Sequence, residues 1–225
     1  MPVLALIVFL PLLAALGVLA VPRRYRVVHR LVPLIATFVV AVLSVFVFQQ
    51  FEPEGGGYQF VTVIPGLGAA GLGIEARFGL DGLNVGLVLM GALVAFAAAC
   101  ASWEIREREK EYSILLLVMT GGILGAFTAL DLFFFYFFHE LALVPTFLMI
   151  GIWGRGDQRS YATFKITLYL SLGALIALIG LIALYAAAGA GSFGFAEVEA
   201  ALRDQPISET TQHWIFGLLL LGFGI

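Results

Sequence analysis

Residues 130–152 read LDLFFFYFFHELALVPTFLMIGI, an apolar run interrupted near its middle by His139 and Glu140. A helix needs roughly 20 apolar residues, each rising about 1.5 Å, to cross about 30 Å of hydrocarbon. Residues 131–152 meet that length. Working outward, the same test gives further spans at 2–21, 31–51, 82–103, 112–130 and 161–187. A seventh, 212–225, begins near Trp214 and stops at Ile225. Its last twelve residues cover only about 18 Å as helix. The expected fold is therefore an all-α, polytopic transmembrane helix bundle of about seven spans, the last one truncated. The chain reads as a single membrane domain, 1–225, that is the N-terminal fragment of a longer protein.

Composition agrees. Of 225 residues, 61% are hydrophobic and 12% charged, and the mean hydropathy is +1.03. Soluble domains carry about 25% charged residues, so the bilayer is the natural solvent here. The net charge of −3 and the scattered Lys and Arg residues offer no face for nucleic acid. One cysteine, Cys100, excludes an internal disulfide and the clustered thiolates of an iron–sulfur site. The N-terminal run precedes its charges, Arg23, Arg24, Arg26 and Arg30, which is the reverse of a secretion signal, so it reads as a retained first span.

Positive charge sets the expected orientation. Arg23, Arg24, Arg26, Arg30, Arg106, Arg108, Lys110, Arg155 and Arg159 fall on one side of the spans. Only Arg77 and Arg203 fall on the other. The N-terminus is accordingly expected outside and the basic loops in the cytoplasm. Between spans, the alternation from Tyr58 to Ile64 after Gly55-Gly56-Gly57 suggests a short hairpin. Phe193, Phe195, Val198 and Leu202, set among acids, have the spacing of a short interfacial helix. Spans four and five meet at Leu130-Asp131 and must form a tight antiparallel pair. Gly121 and Gly125 have the small-xxx-small spacing that lets backbones approach closely.

Ionisable groups inside the hydrocarbon core are the candidates for chemistry. Glu140 lies nine residues after Asp131, about 13 Å deep, where a carboxylate is costly unless neutral, paired or beside water. A proton or ion pathway is the default reading of such an acid. The bland alternative is a protonated glutamate bonded to a neighbouring helix. Lys165 is expected about 9 Å from the cytoplasmic face and about 7 Å from Glu140 along the axis. It either reaches Glu140 or snorkels to the headgroups. Pro145 lacks an N–H for the Leu141 carbonyl and leaves that acceptor free near the carboxylate. His139 points about 100° away from Glu140 and is either a proton relay or a hydrogen-bonded neutral imidazole. His29 and His213 lie near helix ends, so paired haem ligands at one depth are not expected. No phosphate loop, dinucleotide fingerprint or metal-ligand cluster is visible.

Several stretches resemble one family in detail. These are Ala101-Ser-Trp-Glu-Ile-Arg-Glu-Arg-Glu-Lys-Glu-Tyr112, Leu130 to Glu140 with Val144-Pro-Thr, Ile150-Gly-Ile-Trp-Gly154, Ala162-Thr-Phe-Lys165 ahead of Tyr169, and Leu80-Asp-Gly-Leu-Asn84. Together they look like the antiporter-like, proton-translocating subunits of NADH-quinone oxidoreductase (respiratory complex I), subunit M in particular. The resemblance implies a membrane-arm subunit of a bacterial inner-membrane complex, beside L-like and N-like antiporter subunits. Flavin, iron–sulfur clusters and quinone would belong to partner subunits, with no cofactor in this chain. It also implies that Glu140 takes the position of a fifth-helix glutamate paired with a seventh-helix lysine. That lysine is expected just after Gly222-Phe-Gly-Ile225, whereas the sixth-helix lysine is present as Lys165. His139 departs from the bulky aromatic usual before the glutamate. Lacking the second half-channel, this fragment alone would not pump. Subunits of Mrp-type cation/proton antiporters or membrane-bound hydrogenases are the nearest rivals. A purely structural scaffold is a more distant one.

Overall fold

The computed structural model describes residues 3–225. Six helices are long and apolar enough to cross a membrane: α1 (Val3–Ala20), α2 (Arg26–Gln50), α3 (Asn84–Ala101), α4 (Glu109–Thr128), α5 (Leu132–Trp153) and α6 (Arg159–Ala188). The expected bundle is thus present, with Pro2 of the first span outside the described residues. Gly189, at φ 60°, closes α6 in the left-handed conformation that a Cβ disfavours. A short amphipathic helix follows as α7 (Phe195–Asp204), and its Val198 packs with Leu132 and Leu181. The seventh expected span is α8 (Glu209–Gly224), which starts before residue 212 because Ser208 Oγ caps it by accepting from the Thr211 N–H. Its 16 residues make it shorter than the six crossing helices.

The hairpin is real and longer than the sequence pattern suggests. It comprises β1 (Gln59–Ala69) and β2 (Ile74–Leu80), paired antiparallel with Thr62 opposite Phe78. Strand side chains alternate between faces, and β2 uses that alternation to turn Ile74, Ala76, Phe78 and Leu80 inward. Phe78 lies 5.8 Å, centroid to centroid, from both Phe9 of α1 and Phe138 of α5. The hairpin therefore plugs the ends of the helices instead of standing free in solvent.

The turn between α4 and α5 is tight for a backbone reason. Ala129 bridges to Phe78 and Asp131 to Gly194, so the connection runs as a third extended segment between β2 and the start of α7. The helices then pack at very close range. A Cβ on Gly122 would come 2.7 Å from the Ala142 backbone nitrogen, which real contacts do not allow. Gly121 accommodates Leu12 of α1, and Gly125 accommodates the Phe138 ring. The small-residue spacing in α4 thus serves packing on two sides.

At the opposite end, α1, α2 and α4 are tied by ionic contacts. Arg30 reaches Glu109 at 2.6 Å, Arg23 reaches Glu111, and Lys110 donates to the carbonyls of Leu19 and Val21 at 2.8 and 2.9 Å. The last contact places an ammonium on the terminal carbonyls of α1, where the helix dipole favours positive charge.

Candidate functional site

Three polar side chains, Tyr136, His139 and Glu140, share one stretch of α5. Residues three and four apart on a helix lie on one face, so Tyr136 stands beside both of the others. The Tyr136 hydroxyl donates to the Ala174 carbonyl of α6 at 3.3 Å. It thereby holds α5 against α6 one turn before the carboxylate. His139 is stacked on Phe135 and Tyr136, and Phe223 of α8 meets it edge-on at 5.6 Å. Its own helix and α8 therefore meet at the imidazole, and Tyr136 beside it reaches α6.

Glu140 is the ninth residue of α5, about 13 Å from the Asp131 end. Its side chain retains 37% of its accessible surface and that of His139 28%. Glu140 Oε1 lies 3.8 Å from His139 Nδ1, beyond hydrogen-bonding distance. Both atoms are buried, and neither has a hydrogen-bond partner among the described residues. An unpartnered acceptor facing an unpartnered ring nitrogen costs stability inside a bundle, roughly 1–3 kcal/mol for each buried polar group. The site is underbonded.

Lys165 is not brought to Glu140. Its ammonium stays on its own helix, 5.9 Å from the centre of the Tyr169 ring, and its side chain is exposed. Seven residues into α6, it sits nearer the basic end of the bundle than Glu140 does. Of the two alternatives for Lys165, direct contact is absent here. Pro145 lies buried within α5, which runs on unbroken to Trp153.

Sequence reasoning treated Asp131 only as a boundary. In the structure it is 1% exposed and organises the hairpin end. Its Oδ1 accepts from the N–H groups of Phe133 and Phe134 at 2.9 and 3.1 Å, and Oδ2 accepts from the Glu75 N–H at 3.1 Å. Burial pushes its carboxyl above the usual range, opposed by these three backbone donors. Next to it, Arg77 bridges Glu75 and Glu197, each at 2.8 Å. Those acids, first through the hydrogen bond that Arg77 donates to Glu75, hold the guanidinium proton more tightly than usual. An acid directly ahead of an apolar run is an N-cap signal, and that signal was available in the sequence. Tyr136 carried no such signal, because a tyrosine among phenylalanines reads as packing.

Comparison with known proteins fits this geometry. Residues 129–225 match the family described as NADH:quinone oxidoreductase/Mrp antiporter, TM. Over those residues the chain resembles these antiporter-like membrane subunits. Glu140, His139 and Lys165 all fall within the matched region. NADH-quinone oxidoreductase subunit M of Rhodobacter capsulatus is 38% identical over 191 residues, covering 83% of this chain and 36% of the relative. NAD(P)H-quinone oxidoreductase chain 4 1 of Synechococcus elongatus is 35% identical over 223 residues, covering 99% of this chain and 40% of the relative. A chain of respiratory complex I from Thermus thermophilus superposes with a TM-score of 0.80 at 28% identity, covering 100% of this chain and 43% of that one. The chain thus spans about two fifths of the length of the relatives it matches.

Proposed function

We propose that the chain forms the N-terminal portion of a proton-translocating membrane-arm subunit of a proton-pumping NADH:quinone oxidoreductase. The observation that carries the reading is the Glu140 carboxyl, mid-helix in α5, with Oε1 unpartnered 3.8 Å from the unpartnered Nδ1 of His139. A group that must take up and release protons cannot be locked by permanent hydrogen bonds, and this one is not. A single water bonded to both atoms would join them into a relay.

Glu140 is the proton-carrying group in this proposal. A nearby positive charge favours its ionised form, and withdrawing that charge in a low dielectric raises its proton affinity. His139 passes protons to or from it, and Lys165 is a mobile charge whose long stem lets it approach or leave. A lysine on the helix corresponding to α8 is the second candidate charge, since Phe223 already lies against His139. Tyr136 positions α5 on α6. The N-terminus faces outward and the basic loops face the cytoplasm of a bacterial inner membrane. Flavin, iron–sulfur clusters and quinone reside in partner subunits, with L-like and N-like subunits as neighbours. These parts of the proposal rest on the family resemblance and on the charge asymmetry of the loops.

The test is Glu140→Gln in the full-length subunit, assayed for NADH-driven proton uptake by inverted membrane vesicles. Pumping is expected to be lost while the complex still assembles. Normal pumping would remove Glu140 from the pathway. The matched family also includes Mrp antiporters. Cation/proton exchange independent of NADH would favour that second reading.

A further inference from the structure

Outside the Glu140 site, the basic end of the bundle holds a cavity of about 420 Å³ lined by Arg23, Arg26, His29, Arg106, Arg108, Glu109, Lys110 and Glu111. Five cations against two acids leave a local excess of three positive charges, with His29 taken as neutral. Both acids are already engaged, Glu111 by Arg23 and Glu109 by Arg30. Lys110 is committed to the carbonyls of α1. Among the described residues, Arg26, Arg106 and Arg108 have no acidic partner. Arg108 holds φ at 52°, a conformation that side chains rarely adopt.

Two of the lining residues also carry buried, unsatisfied atoms. His29 is 1% exposed, and its Nδ1 has no partner. The Nε2 of its ring lies 3.2 Å from the Pro22 carbonyl, which can only accept, so Nε2 carries hydrogen and a neutral Nδ1 is an acceptor. Glu109, 8% exposed, leaves Oε2 without a donor. The lining therefore offers three free guanidinium groups and two free acceptors, the complement of an anion that also carries hydroxyls.

The neighbouring cavity decides between a lipid and a free ion. It has about 310 Å³, shares Arg26 and Arg106 with the first, and is completed by Val27, Arg30 and Trp103. Val27 is 65% exposed, and Trp103 is an aromatic at the end of a membrane span, the level at which Trp marks the interface. A site for a free anion has no need of an apolar wall facing the bilayer, whereas a lipid does.

We propose that this basic cavity binds the phosphodiester of an anionic phospholipid. Arg26, Arg106 and Arg108 contact the phosphate, headgroup hydroxyls meet His29 Nδ1 and Glu109 Oε2, and the glycerol backbone leaves past Val27 and Trp103. Basic pockets between transmembrane helices are suited to such headgroups by charge and depth. The inference needs only the membrane-spanning bundle and is independent of proton transfer at Glu140.

Phosphatidylglycerol supplies both the charge and the hydroxyls, so it is the probe. The full-length subunit in nanodiscs of phosphatidylcholine, with or without phosphatidylglycerol, is released into native mass spectrometry and its retained lipids are identified. Wild type is expected to retain phosphatidylglycerol in preference to phosphatidylcholine. Retention should fall about tenfold in Arg26→Gln/Arg106→Gln, because each arginine near an anionic surface contributes about fivefold and neighbouring sites are not fully additive. Arg155→Gln/Arg159→Gln removes equal charge from the same face outside the cavity and should leave retention unchanged. Circular dichroism confirms folding, and Arg106→Gln alone serves if the double variant misfolds. Equal retention of both lipids would overturn the proposal, as would an equal fall in the Arg155/Arg159 variant. Displacement by millimolar inorganic phosphate would mark a free-anion site and overturn the lipid assignment.

Discussion

Asp131 and Glu140 stand nine residues apart on the same helix, and the structure treats them in opposite ways. Asp131 is almost fully buried, yet three backbone N–H groups from two elements fill its carboxylate. Glu140 keeps more than a third of its side-chain surface, yet Oε1 is buried without a partner beside an equally unpartnered His139 nitrogen. Burial alone would have ranked Asp131 as the more unusual acid. Hydrogen-bond satisfaction reverses the ranking. A satisfied buried carboxylate is a fastener, because each bond it accepts would be lost if it moved. An unsatisfied one carries a standing cost that packing by itself does not explain.

Removing the fastener should have the largest effect on stability. Asp131→Ala discards the cap of α5 and orphans the Glu75 N–H, together about 3 kcal/mol. Thermal unfolding of the solubilised chain should show a clear drop in Tm, and an unchanged Tm would erase the contrast with Glu140. Asp131→Asn keeps the Oδ1 acceptor and should cost less. Because burial raises the folded pKa of Asp131 above its unfolded value, its contribution is full below the ordinary carboxylate range. It is lost as pH rises through the raised folded value. The Tm of the Asn variant minus that of wild type should therefore increase between acid and neutral pH. A decrease would contradict the sign.

Gly122→Ala comes next. The new methyl meets the Ala142 backbone, which can yield only by moving α5, so a loss of about 2 kcal/mol is expected from overpacking. Hydrogen exchange should localise the loosening to the α4–α5 pair, and uniform loosening would argue against a specific close approach. The Arg77–Glu197 pair should matter less. Both side chains are about one third exposed, and screened pairs of this kind contribute at most about 1 kcal/mol. A double-mutant cycle giving a much larger coupling would promote this bridge to a main support of the hairpin end. Smallest of all, Glu140→Gln should change Tm by no more than about 0.5 kcal/mol equivalent, since it removes no hydrogen bond or ion pair to another element. A large destabilisation would return Glu140 to a structural role and weaken the proton-carrying reading.

Much of the fold was legible because the bilayer imposes a length and a polarity on every crossing helix. Six crossing helices, the hairpin and the short amphipathic α7 all follow from runs of apolar residues and the breaks between them. Glu140 was legible for the same reason, as an acid where hydrocarbon should be. The ties that involve distant residues were not. Nothing local places Asp131 on Glu75, fifty-six positions away, or turns β2 into a plug over α1 and α5. The same holds for Tyr136, whose partner is a carbonyl of another helix, and for Lys165, whose reach depends on a rotamer and on how α5 and α6 cross.

The sequence by itself determined what must be in the membrane, because transfer of apolar side chains out of water is additive along the chain and can be read residue by residue. Only the tertiary structure decided which polar groups are satisfied. Hydrogen bonds are short-ranged and directional, so the difference between the fastener at Asp131 and the open carboxyl at Glu140 depends on ångströms between residues that the sequence keeps far apart.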